Sequence, residues 1–85
     1  MDEPKVGNAY LITKERYYLD RIMTIVAITD YRVYWDLEHR ESVNSVRFNG
    51  ELIRYYDAID IQYFNKFARR SGLELGEQAV PSWEV

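Results

Sequence analysis

Apolar and polar positions alternate along most of the first 56 residues, and the alternation resolves into short strands. Val6-Gly7-Asn8-Ala9-Tyr10-Leu11-Ile12-Thr13 reads as a strand over residues 8–13 entered from a turn glycine. The run from Arg21 to Thr29, RIMTIVAIT, has the strongest strand character in the chain. Ile22, Thr24, Val26 and Ile28 point one way along it, and Met23, Ile25 and Ala27 the other. Both sets are apolar, which implies a central strand covered on both faces or bent sharply. Over 31–37, Tyr31, Val33, Trp35 and Leu37 alternate with Arg32, Tyr34 and Asp36. The two runs form a hairpin on this reading, with the Ile22/Thr24/Val26/Ile28 face set against Val33/Trp35/Leu37. Trp35 is then a core residue.

A polar loop, Glu38 to Ser42, separates that hairpin from a second one. Residues 43–48 and 51–56 flank Asn49-Gly50, a pair suited to a type I′ turn because both positions take positive φ. Val46 falls opposite Ile53 and Phe48 opposite Glu51, so Arg47, Leu52, Arg54 and Tyr56 share the other face. The stretch after Tyr56 fits two periods. Ile59, Tyr63, Phe64, Phe67 and Ala68 follow helical spacing, while Ile59, Ile61 and Tyr63 alternate as in a strand. Asp57 as N-cap, Asp60 in the first turn, Lys66, Arg69 and Arg70 late, and Gly72 as C′ residue favour a helix over 58–71. A strand at 58–63 before a shorter helix is the alternative. Residues 73–85, LELGEQAVPSWEV, read as a tail whose Leu73, Leu75, Ala79, Val80, Trp83 and Val85 fold back over the second sheet face, with residues 79–85 adding to stability; docking of the tail on a partner is the alternative.

The expected fold is mainly β of the α+β class: one domain over 1–72, a five-stranded antiparallel meander with a C-terminal helix, and the tail at 73–85. Five short strands in about fifty residues close economically as a small bent barrel. In Val6-Gly7 and Tyr10, the run Ile22 to Ile28, the alternation Val33 to Leu37, and Val46-Arg47-Phe48 before Asn49-Gly50, the stretch 6–56 resembles the SH3-like small β-barrels of bacterial and phage accessory proteins. The resemblance is one of pattern and carries no functional residue across. An open antiparallel sheet with the helix on one face is the competing architecture.

Composition narrows the function classes. The 85 residues contain no cysteine and one histidine, which removes disulfide frameworks, thiolate metal sites and histidine metal clusters. His39 lies in a charged loop, the four serines sit in no nucleophile elbow, and the glycines form no phosphate-binding loop. A non-enzymatic protein is expected, with no catalytic, cofactor or metal residue. No apolar run suits a bilayer span, and the expected location is cytoplasmic. Net charge is −3, and all eleven Lys and Arg precede residue 71. A neutral body argues against a dedicated duplex-DNA binder. Eight Tyr, three Phe and two Trp exceed what so small a core needs. Tyr17, Tyr18, Tyr34, Tyr56 and Trp83, with Arg47 and Arg54, are the candidate binding surface. A protein partner is the first expectation, met by an adaptor, inhibitor or accessory factor. Single-stranded nucleic acid stacked on the aromatics is the second. An aromatic cage for a methylated cation needs convergent rings and an acid such as Asp36.

Overall fold

The computed structural model describes residues 4–77. Its elements in chain order are β1 (Asn8–Ile12), β2 (Ile22–Ile28), β3 (Arg32–Leu37), β4 (Asn44–Phe48), β5 (Glu51–Tyr55), β6 (Asp57–Asp60), α1 (Ile61–Ser71) and β7 (Gly72–Glu77). Five strands form one antiparallel sheet in the order β6-β3-β2-β1-β7, and β4 and β5 pair only with each other.

The sheet is open, and this overturns both the barrel and the resemblance to SH3-like modules. Two pairings account for it. Strand β1 takes β7 as its second neighbour, with Leu11 opposite Leu73 and Ile12 opposite Gly72, so it has no edge left for closure. The β4–β5 ribbon leaves the sheet, and β6 occupies the place beside β3 instead, with Val33 opposite Ile59. The two edges are therefore β6 and β7, and α1 carries the chain from one to the other across a sheet face. The competing architecture, an open antiparallel sheet with a helix on one face, is the one observed.

The core lies between that face and α1. Tyr10, Ile12, Met23, Ile25, Val33, Trp35 and Leu37 line the sheet side, and Phe64 and Ala68 fill it from the helix. Trp35 is the largest fully buried side chain. The face assigned to β2 needs correction. Ile28 does lie opposite Val33, but Ile25 lies opposite Trp35 and Met23 opposite Leu37, because the register shifts at Val26. One extra residue in a β-bulge moves every position beyond it to the other face. Thr24 consequently meets Asp36 on the second face, where both are buried.

The ribbon covers part of that second face. Asn49 and Gly50 have φ of 50° and 82°, the left-handed geometry of the predicted turn. Val46 lies opposite Ile53 and Phe48 opposite Glu51, as the alternation requires. Tyr55 packs edge-on against Tyr34 of β3, with centroids 4.9 Å apart. Ser42 Oγ donates to buried Asp36 Oδ1 at 2.5 Å, tying the incoming loop to the sheet.

The helix is shorter than 58–71: a strand precedes it, as in the alternative reading, but that strand covers Asp57–Asp60 rather than 58–63 and the helix starts at Ile61. Asp60, not Asp57, is the N-cap; its carboxylate accepts from the Gln62 N–H at 2.9 Å. Residues 57–60 are drawn into the sheet because Ile59 alternates in phase with Val33. Gly72 is extended (φ −122°), not left-handed. Its glycine answers a lack of space: a Cβ there would stand 3.2 Å from the Ala68 carbonyl oxygen and 3.5 Å from Ile12 Cδ1. The segment read as a tail thus begins as β7, while Trp83 and the expected fold-back of 79–85 lie outside the described residues.

Candidate functional site

The nominated residues fall on different sides of the molecule. Tyr34 is buried and packs against Tyr55 of the ribbon, and Arg47 and Arg54 are exposed on the ribbon, on the same face as Leu52. Tyr17 stands exposed in the β1–β2 loop. Tyr18 and Tyr56 are brought together on the helix side of the sheet, and Trp83 is outside the described residues. No single surface unites the six that are described.

Tyr18 is the pivot of the helix side. The loop that carries it is shaped by Glu15, whose Oε2 accepts from the backbone N–H of Tyr17 at 2.9 Å and of Tyr18 at 3.2 Å. The Tyr18 ring meets Tyr56 at 6.4 Å and Phe67 at 6.1 Å, both edge to face. Its hydroxyl donates to Asp57 Oδ2 at 3.1 Å, and Asp57 Oδ1 accepts from the Ala58 N–H. Burial first, then the Asp57 carboxylate, pushes the phenol up to about 12 from its ordinary 10. Trp35 lies below these rings with its indole N–H buried and unpaired.

Glu15, Tyr18, Trp35, Asp57, Ile59 and Phe67 enclose a cavity of about 230 Å³. A second cavity, about 390 Å³, is lined by Ile59, Tyr63, Lys66, Phe67 and Arg70. Tyr63, Lys66, Phe67 and Arg70 are spaced i, i+3, i+4 and i+7, one stripe of α1. Ile59 and Phe67 line both, so the two cavities are neighbours along the groove where α1 meets β6. Carboxylates stand at one end and cations at the other. The sequence reading missed this groove because its parts come from the β1–β2 loop, β6 and the helix. Phe67 and Tyr63 were legible as apolar helix positions, but the cavity that Phe67 shares with Glu15 was not.

Another cavity, about 500 Å³, lies between ribbon and sheet. Arg40 and Arg54 there share the lining with Asp36 and Glu41, so opposite charges offset one another. Asp36, the example of an acid for an aromatic cage, is buried and its Oδ1 accepts from the Ser42 hydroxyl. His39 sits exposed in the β3–β4 loop at 3.3 Å from Glu38. Among the described residues no three His, Cys, Asp or Glu gather as a metal site, and no helix is long and apolar enough to cross a membrane.

Compared with protein-family models, curated proteins and solved structures, the chain matches none. The expected kinship with phage or bacterial accessory proteins rested on the barrel and finds no support here. Any functional reading rests on the groove itself.

Proposed function

We propose that this protein is a non-enzymatic protein-binding domain, working in the cytoplasm, and that it receives a segment of its partner in the groove between α1 and β6. The observation that carries the reading is a pair of neighbouring apolar cavities that share Ile59 and Phe67, one with Glu15 and Asp57 in its lining and the other with Lys66 and Arg70. Apolar length with opposite charges at its ends suits a polypeptide, which supplies both signs within a few residues. It suits a nucleic acid poorly, since the acidic end repels phosphate. Aromatic walls add contact area at small entropic cost.

Affinity capture from native lysate with mass spectrometry tests the reading, run beside titration with single-stranded DNA and RNA at low and moderate salt. A protein held by the native chain, lost on Lys66→Glu with Arg70→Glu and kept by Arg47→Ala with Arg54→Ala, is the expected result. Salt-sensitive oligonucleotide binding weakened by Arg47→Ala and Arg54→Ala would replace it with the nucleic-acid reading, whose physical basis is the exposed arginine pair on the ribbon.

A further inference from the structure

We infer that the acidic end of the groove is a pocket for an arginine side chain of the partner, an inference that rests on the protein-binding reading. Three features of the pocket converge on a guanidinium. Its walls are the rings of Tyr18, Trp35 and Phe67, with Ile59 beside them. A guanidinium is weakly hydrated and stacks on aromatic faces, so these walls favour it over a free ammonium. Its rim carries Glu15 and Asp57, and among the described side chains, Arg69 not being one of them, neither has a lysine or arginine nitrogen within ion-pair range. Two carboxylates beside buried aromatic surface, with no ion pair among the described side chains, favour a cationic guest.

The hydrogen-bond inventory then selects among cations. Glu15 spends Oε2 on two backbone N–H groups, and no donor among the described residues reaches its Oε1. Each Asp57 oxygen takes one donor and keeps a second lone pair. A methylated ammonium has no N–H left to use these acceptors when fully substituted, whereas a guanidinium presents five donors in a planar fork. The volume, about 230 Å³, falls below the roughly 300–1,000 Å³ of drug-sized ligand sites and suits a side-chain head. The chain's own C-terminal stretch does not supply the cation, because residues 71–85 contain no lysine or arginine.

The test is a titration of the full chain, isotope-labelled and followed by its amide and indole N–H resonances. The probes are N-acetyl-arginine amide, its uncharged isostere N-acetyl-citrulline amide, and N-acetyl-trimethyllysine amide. The arginine probe is expected to shift the amides of Tyr18 and Ala58 and the Trp35 indole signal saturably, and more tightly than either other probe. Glu15→Gln preserves the acceptor for the Tyr17 and Tyr18 amides, and Asp57→Asn keeps its oxygen on the Ala58 N–H while its NH2 donates to the Tyr18 hydroxyl oxygen. Each should weaken the arginine probe by about tenfold, the weight of a charge-assisted contact. Equal shifts with citrulline, tighter binding of trimethyllysine, or no shift at all would each overturn the assignment. A null titration with partner capture intact in Glu15→Gln defeats the arginine pocket alone. Probe binding with no captured protein defeats the wider reading and leaves a small-cation site.

Discussion

Tyr18 couples the loop, the edge strand and the helix, and its chemistry makes that coupling measurable. Its phenol titrates near 12 in the fold and near 10 in an unfolded chain, so between those values the folded state holds the extra proton. The contribution is therefore fully present below pH 10 and declines as pH rises toward 12. Denaturant midpoints measured from pH 9 to 12 should fall more steeply for the native chain than for Tyr18→Phe. Tyr10, raised by burial and by Glu74, leaves some slope in the variant. Parallel slopes would mean that Asp57 and burial do not hold the Tyr18 proton. Trp35 gives a different residue-scale expectation. It is 2% exposed and tilted against Phe64 at 5.8 Å, so Trp35→Ala should cost about 3–5 kcal/mol by chemical denaturation. Near-native stability would remove it from the core.

Glycines 50 and 72 separate two causes at the level of elements. Nothing stands within 4 Å of a Cβ at Gly50, so its requirement is the positive φ alone. Gly50→Asn, which tolerates that conformation, should be nearly neutral, while Gly50→Val should cost about 1–2 kcal/mol or more. At Gly72 φ is ordinary and space is not, so Gly72→Ala should cost about 1–3 kcal/mol through crowding of the Ala68 carbonyl and Ile12. Denaturation midpoints of the three variants decide both assignments. The contrast also explains which elements were legible. The ribbon was readable because Asn49-Gly50 and its flanking alternation are local. The β2 face was not, because Val26 and both its neighbours are apolar, and a bulge leaves no mark in a run without polar positions. Strand β7 was hidden differently: LELGE alternates weakly, and its partner β1 lies some sixty residues earlier. The groove inherited that opacity, since Glu15 and Asp57 meet only after loop and edge strand are placed.

At the scale of the molecule, the topology sets which parts can open alone. The ribbon pairs only with itself and touches the sheet through contacts such as Tyr34–Tyr55. Its amides should exchange with solvent at a lower opening free energy than those of β2, which is central and paired on both sides. Strand β7 has the opposite standing despite lying at an edge. It follows α1 directly, and its Gly72 N–H donates to the Ala68 carbonyl. The Ser71 carbonyl accepts from the Thr13 and Lys14 amides, so the helix end is bound to the end of β1. Ending the chain after Ser71 removes the pairing of residues 72–77 with β1 and exposes one side of the strand that carries Tyr10 and Ile12 into the core. The loss should approach the whole stability of so small a domain, about 5 kcal/mol, and abolish cooperative melting. Ending it after Glu77 leaves every described strand in place and serves as the control. If the shorter chain melts cooperatively at the temperature of the longer one, β7 is an ornament on the sheet, and the sheet needs only the four strands that precede the helix.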